Sequence, residues 1–205
     1  MVDARVLVEL GAATLGESGA RRMHPRVKPA WKGARVAAPA YPVRCSPGDN
    51  LGIHVAVTRA PAGSVLVADM GGTRDFGYWG EVLTTGAEAR GIVGLVIDGC
   101  VRDGDALAGH GFPVFCTGLA LNGATKEQPG SVARPVTVGD VAVEPGDWVV
   151  GDVDGVVVIP GAALDDVLAA GRARAAKEQA LFAALRDGAT TVEQFGLDTR
   201  LIDGA

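Results

Sequence analysis

Cysteine is scarce: three in 205 residues, an odd number without CxxC spacing, so neither a disulfide framework nor a cysteine zinc site is encoded. Cys45, Cys100 and Cys116 read as free thiols in a reducing cytoplasm. No run of 18 apolar residues occurs, which argues against any membrane span. His24, His54 and His110 form no HxxxH or HxH pair, which argues against a zinc site. A strand-linked GxGxxG, a P-loop and a GxSxG elbow are also missing, so dinucleotide, Walker-type nucleotide and serine-hydrolase sites lack support. The net charge of -5 is too small, and the 48% hydrophobic content too high, for a disordered chain.

What is present indicates one globular domain over residues 1–205, with no internal repeat and no linker. Glycine (30) and proline (11) are plentiful without a three-residue period, which excludes collagen and implies many tight turns. Charge is unevenly spread. Residues 1–60 hold nine Lys/Arg against four Asp/Glu, net +5, and residues 61–205 hold ten against twenty, net -10. The basic run Arg21, Arg22, Arg26, Lys28, Lys32 and Arg35 has Trp31 as its one interleaved aromatic. It reads as a solvated loop or a surface facing an acidic neighbouring subunit, and not as a nucleic-acid site.

Residues 4–19 read as an amphipathic helix and not as a signal peptide, because Glu9 interrupts the apolar stretch and no basic segment precedes it. Arg35–Cys45 reads as a strand bent by Pro39 and Pro42. In the next segment Ser46 is the expected N-cap, Pro47 the first helical residue and Asp49 a capping acid, for a helix running to about Ala60. Strands are expected at Ser64–Asp69, Ile92–Ile97 and Phe112–Cys116, with a helix over Tyr78–Arg90 ended by Gly91. That alternation implies a parallel sheet. RPVTV, VAV, DWVVGD and GVVVIP read as an antiparallel meander. A long helix is expected over Ala162–Asp187, with Leu164, Val167, Leu168, Leu181 and Leu185 at core spacing.

Ligands of parallel sheets bind beyond the carboxyl ends of strands, here Asp69 and Asp98, each followed by a Gly-rich turn. The turns deliver Gly80 and Glu81 at a helix start, and Arg102 and Asp103. Free N–H groups at the helix start suit a carboxylate. Arg102 offers a planar fork for carboxylate or enolate oxygens. Asp103 and Glu81 are hard oxygen donors suited to Mg²⁺. The same residues admit plainer roles: a surface Arg–Asp pair, a carboxylate complementing the helix dipole, and aspartates that form turns. His54 reads as a satisfied core residue.

The segment Trp79–Asp103, WGEVLTTGAEARGIVGLVIDGCVRD, resembles the central signature of the RraA-like family, which includes the class II 4-hydroxy-4-methyl-2-oxoglutarate/4-carboxy-4-hydroxy-2-oxoadipate aldolases. Pro47–His54, Lys126–Gly130 and Gly151–Pro160 resemble other segments of that family, so the similarity spans nearly the whole chain. Members often carry the label dimethylmenaquinone methyltransferase, but nothing here resembles an S-adenosylmethionine site. The aldolases carry an Asp, twenty residues, then Arg-Asp; here the spacing gives Glu81, then Arg102 and Asp103.

The resemblance implies an α/β fold, a layered α/β/β sandwich with mixed sheets, resembling the swivelling phosphohistidine domain. It also implies homotrimers or homohexamers, with the C-terminal helix (about 162–187) at a subunit interface. It assigns Asp103 as direct ligand of Mg²⁺ or Mn²⁺, and Arg102 with the amides of Gly80, Glu81, Val82 and Leu83 as the binding site of a small 2-oxo acid. Glu81, and Glu178 from a neighbouring subunit, would reach the metal through water, with the extra methylene of Glu81 altering that geometry. The implied activity is metal-dependent carbon–carbon cleavage through a pyruvate enolate, by retro-aldol reaction or oxaloacetate decarboxylation. Alternatives are a regulator of the ribonuclease E inhibitor type, and a lyase for a larger 2-oxo acid with Tyr78 and Trp79 shaping its pocket. The basic 21–35 segment is a candidate to reach an interface or bind a second substrate carboxylate.

Overall fold

The computed structural model describes residues 3–203. Helix α1 (Ala4–Glu17) opens the chain, with Asp3 accepting a hydrogen bond from the Arg5 amide as its cap. It is not continuous as expected. Gly11 adopts φ +78°, and the Asp152 carboxylate caps the second half by accepting from the Ala12 N–H at 2.7 Å. Strands β1 (Arg21–Arg22), β2 (Lys28–Pro29) and β3 (Val36–Arg44) follow, then α2 (Leu51–Arg59) and β4 (Val65–Asp69). Next come α3 (Glu81–Glu88), β5 (Gly94–Ile97), β6 (Cys100–Val101), α4 (Gly104–His110), β7 (Val114–Cys116) and β8 (Gly118–Leu119). The remainder holds β9 (Ser131–Val132), β10 (Val136–Val138), β11 (Val141–Val143), β12 (Trp148–Gly151) and β13 (Val156–Ile159), then α5 (Leu164–Arg186), α6 (Thr191–Phe195) and α7 (Arg200–Asp203).

One mixed sheet dominates, in the order β1-β13-β12-β3-β4-β5-β7-β2 with β9 beside β3. The β3–β4–β5–β7 block is parallel, as expected. The expected meander divides: β12 and β13 join this sheet through β3, whereas β10 and β11 pair with each other as a separate hairpin. Both edge strands, β1 and β2, come from the basic segment. Five residues lie between Arg22 and Lys28, a reach of about 20 Å, so the sheet must curl until its edges nearly meet.

Period-two alternation assigns every strand residue to one side of this curl. Val65, Val67, Val96, Phe115, Val149 and Val158 fill the inside, sheet against sheet. Phe115 occupies so much of it that a Cβ at Gly151 would lie 2.7 Å from its ring. On the outside, Leu66, Leu95 and Ile97 pack under Ile53 and Ala56 of α2, Leu83 and Ala87 of α3 and Leu107 of α4. Val150, Val157 and Ile159 pack under Leu7 and Leu15 of α1 and Val167 of α5. The helical and two sheet layers are the expected α/β/β arrangement. Burial on both faces explains why β4 and β5 read as continuous apolar runs.

Several expectations fail locally. Helix α2 starts at Leu51 with Asn50 as its cap, five residues after Ser46, because Ser46–Asp49 closes a turn through the Asp49 N–H and the Ser46 carbonyl at 3.1 Å. Tyr78 and Trp79 precede α3 and are fully buried, Trp79 stacked on Phe112 with centroids 5.8 Å apart. Leu181 and Leu185 join no core cluster, for α5 meets the core only through its first half. The basic run is largely consumed inside the protomer: Arg22 donates to the Gly16 carbonyl, Lys28 to the Asp154 carbonyl, and Arg26 to Asp98 and Asp140.

Candidate active site

Asp98 is the most heavily bonded carboxylate on the sheet rim, and its partners are structural. It takes Arg26 at 2.8 Å, Arg74 at 2.8 Å and the Gly139 amide at 3.2 Å. Burial pushes its pKa up, but the two guanidiniums and the amide outweigh that and hold it well below the usual carboxylate range. Asp69 accepts from the Gly71 amide at 2.9 Å and so acts as a turn former.

The chemistry-bearing residues gather one turn further along. Arg102 and Asp103 lie between β6 and α4, beside the start of α3. Asp103 adopts φ +58°, a left-handed conformation costing about 1 kcal/mol in a residue with a Cβ. Its Oδ2 accepts from the Glu81 N–H at 3.0 Å, and the Arg102 Nε lies 3.6 Å away. Gly80 makes this approach possible, since a Cβ there would overlap the Asp103 carboxylate. Of the four amides expected to bind a carboxylate, that of Glu81 is therefore engaged by Asp103. Those of Val82 and Leu83 have no partner among the described residues.

A cleft of about 160 Å³ opens at this point, lined by Gly80, Val82, Leu83 and Arg102 together with Asn50, His54 and Lys126. It holds roughly five waters' worth of space, which suits a small acid and is well below the size of drug-like sites. Tyr78 and Trp79 form part of its wall as fixed packing residues, the Trp79 Nε1 donating to the Thr84 hydroxyl at 2.7 Å and the Tyr78 hydroxyl to the Thr73 carbonyl at 3.0 Å.

Lys126 and His54 are contributions that the sequence reading missed. The expected satisfied core role for His54 does not hold: it is half-buried, faces the cleft and has no hydrogen-bond partner among the described residues. Burial, then the Lys126 charge, push its pKa down, and Asp49 only partly opposes this, so it is neutral at pH 7. Asn50, the cap of α2, and His54 lie one turn apart at the start of that helix, a spacing that by itself does not mark a cleft. Lys126 sits in a loop without periodicity. It, and not the 21–35 segment, supplies a second cation at the cleft.

Glu81 stands at the start of α3, with its carboxylate 3.6 Å from the His110 Nε2, while the His110 Nδ1 meets Glu88 at 2.8 Å. Glu178 lies on α5, paired with Arg174 at 3.0 Å, and Arg174 also meets Glu17 of α1. Within the protomer it does not line the cleft. Cys45 and Cys116 are pushed up to about 11 by burial, which makes them inert thiols at neutral pH.

Among the described residues, no three His, Cys, Asp or Glu side chains gather to enclose a metal ion. Asp103 is nevertheless 40% exposed, with one carboxylate oxygen free of any described partner. One open carboxylate fits Mg²⁺ or Mn²⁺, which keep several waters and need few protein ligands, and does not fit a closed zinc site.

The RraA-like family model, described as Aldolase/RraA, matches residues 2–158. The chain belongs to the RraA-like family. A protein of Halalkalibacterium halodurans named "Putative 4-hydroxy-4-methyl-2-oxoglutarate aldolase" is 32% identical over 177 residues, covering 86% of this chain and 84% of its own. An uncharacterized protein from Pseudomonas syringae has the same fold at TM-score 0.80 and 27% identity, covering 96% of this chain and all of its own. The RNA-processing inhibitor RraA from Thermus thermophilis superposes at TM-score 0.65 and 26% identity, over 78% of this chain and 93% of its own. The family match ends before α5, so the C-terminal helices lie outside it. No helix among the described residues is long and apolar enough to cross a membrane.

Proposed function

We propose that this RraA-like protein is a divalent-metal-dependent lyase that cleaves a carbon–carbon bond in a small 2-oxo acid bearing a second carboxylate. The observation that carries the reading is the convergence of Val82 and Leu83 with their free amides, Arg102 and Lys126 at one small cleft, with the Asp103 carboxylate 3.6 Å from the Arg102 Nε. The two amides bind the carboxylate next to the 2-oxo group. Arg102 donates to the 2-oxo oxygen, and Lys126 holds the far carboxylate.

Mg²⁺ or Mn²⁺, held by Asp103 directly and by Glu81 through water, would supply Lewis-acid polarisation of the 2-oxo acid. In a 4-hydroxy-2-oxo acid the C3–C4 bond breaks, its electron pair passes to the 2-oxo oxygen as an enolate, and the 4-hydroxyl loses its proton. His54, kept neutral, accepts that proton at its free ring nitrogen. Arg102 stabilises the enolate oxygen, and water protonates C3 to release pyruvate while the proton on His54 returns to solvent. Oxaloacetate loses CO₂ to the same enolate and needs no hydroxyl proton transfer.

We also propose assembly into a homotrimer or homohexamer, in the cytoplasm; the exposed apolar surface supports the self-association. Phe195, Leu201 and Ile202 of the C-terminal helices are largely exposed, as are Leu121 and Val82, the latter in the cleft wall. Burying one set against the other on a neighbouring copy would remove both from water, and would carry α5, with Glu178, towards that copy's site.

The test is pyruvate release from 4-hydroxy-4-methyl-2-oxoglutarate and from oxaloacetate, with Mg²⁺, with Mn²⁺ and with EDTA, against a protein-free oxaloacetate blank. Metal-dependent turnover that disappears in Asp103→Ala is expected. A folded, metal-supplemented protein no faster than the blank on both acids would sink the proposal. The likeness to the Thermus thermophilis inhibitor would then favour a regulator acting by protein contact. The small cleft weighs against a larger 2-oxo acid.

A further inference from the structure

Lys126 is only as useful as its position, and its own loop does little to hold it. Residues 121–130 are exposed apart from a half-buried Ala124 and contain no helix or strand. Among the described residues the Lys126 ammonium makes one hydrogen bond, to the Ala124 carbonyl at 3.4 Å.

The order comes from Asp49, a fully buried carboxylate in the turn before α2. Its Oδ1 accepts from the Leu51 N–H at 2.8 Å. Its Oδ2 accepts three hydrogen bonds from the loop: the Thr125 hydroxyl at 2.7 Å, the Glu127 N–H at 2.6 Å and the Gln128 N–H at 3.1 Å. These donors lie on both sides of Lys126. The main chain adds the Asn50 N–H to the Thr125 carbonyl and the Thr125 N–H to the Gly48 carbonyl, both at 2.9 Å. One carboxylate thus ties the Lys126 loop to the end of α2, whose Asn50 and His54 form the facing wall of the cleft. A carboxylate suits the task because three donors converge on a single oxygen, and an ionised acceptor bonds more strongly than a neutral one.

We infer that Asp49 is the positioning residue for Lys126, and through it sets the preference of the cleft for 2-oxo acids with a second carboxylate. The inference rests on the lyase reading above. It separates two subsites: Asp49 governs the far carboxylate, whereas Val82, Leu83 and Arg102 hold the 2-oxo acid end without it.

The experiment is a double-mutant cycle on the full chain with metal, using Asp49→Asn, Thr125→Val and Lys126→Ala, and each of the first two combined with the third. The readouts are kcat and KM for whichever of the two dicarboxylates is turned over, and inhibition by pyruvate, which occupies the 2-oxo acid end alone. Asp49→Asn is expected to raise KM roughly tenfold and Thr125→Val about threefold, with kcat little changed, for the loss of one or more buried hydrogen bonds. Pyruvate inhibition stays as in the wild type. Because both act through Lys126, each double variant is expected to match Lys126→Ala alone.

Effects that add to that of Lys126→Ala, or an equal loss of pyruvate binding, overturn the inference and leave the lyase reading intact. If Asp49→Asn does not fold, Thr125→Val decides by the same criteria, since it removes one hydroxyl at nearly constant shape. Wild-type protein inactive on both acids overturns the lyase reading and the inference with it.

Discussion

Arg102 and Lys126 both bring positive charge to the cleft, yet they are not exchangeable. A guanidinium places parallel N–H donors against a planar oxo acid, and an ammonium cannot. Arg102→Lys is therefore expected to lower kcat by roughly 10²-fold, the cost of one preorganised donor to a developing oxyanion. Its melting temperature should match the wild type, because Arg102 is half-exposed. Lys126→Ala should instead act mainly on KM. His54 has a different signature. As acceptor of the hydroxyl proton, His54→Gln is expected to slow cleavage of 4-hydroxy-4-methyl-2-oxoglutarate and to spare oxaloacetate decarboxylation. Its lowered pKa sets the pH profile: the neutral, active form persists at neutral pH and is lost only as pH falls below the ordinary histidine range near ~6.5. Equal loss on both acids, or an acid limb at neutral pH, would remove His54 from that role.

At the scale of elements, α3 is held to the site by a glycine chosen for space and not for backbone freedom, for Gly80 has an extended φ of -161°. Gly80→Ala should fold with a near-native spectrum, yet lose most of its activity, because the new methyl occupies the place of the Asp103 carboxylate. The termination of α3 was legible: Gly91 takes φ +71°, as a glycine after a helix should. Its beginning was not, since Tyr78 and Trp79 continue the helical pattern while packing as core residues. The C-terminal helices show a related limit. Residues 187–202 bury no side chain in the protomer, so deleting everything after Arg186 should leave the melting temperature of the domain within a few degrees. The same deletion should lower the molecular mass measured in solution from that of an oligomer; an unchanged assembly state would show that these helices are not the interface.

For the whole molecule, closure of the curled sheet depends on Asp98, which joins Arg26 of the segment bridging both edges to Arg74 and to the β10–β11 turn. Removing it leaves Arg74 without a carboxylate and Arg26 with Asp140 alone, and Asp98→Ala is expected to cost about 3 kcal/mol, or roughly 10 °C in melting temperature. Asp98 and Asp49 also set the acid limb of stability. Burial pushes the Asp49 pKa up, but the Glu127 and Leu51 amides, the Thr125 hydroxyl and the Gln128 amide bring it down to about 2 from 3.8. A carboxylate whose folded pKa is depressed stabilises the fold fully above its unfolded value and loses that contribution as pH falls through the folded one. For Asp49 this amounts to about 2 kcal/mol, lost between about pH 4 and pH 2. Asp98 shifts in the same direction. Denaturant midpoints should be flat from pH 7 to 5 and fall steeply below pH 4, with a shallower fall in Asp49→Asn.

The sequence by itself determined the parallel β3–β4–β5–β7 block of the sheet, because continuous apolar runs and glycine stops are local signals. It also determined the neighbourhood of Glu81, Arg102 and Asp103, because Arg102 and Asp103 share one turn and a fixed spacing links them to Glu81. Only the tertiary structure decided which charges face the cleft. Arg26 and Asp98, the conspicuous ions of the sequence, neutralise each other in closing the sheet. Lys126 and His54, which no sequence signal marked as cleft residues, are brought to Arg102 by contacts spanning nearly eighty residues between Asp49 and the 125–128 loop. Hydrogen bonds between such distant segments leave no periodicity to read. They exist only once the curled sheet has set its loops side by side.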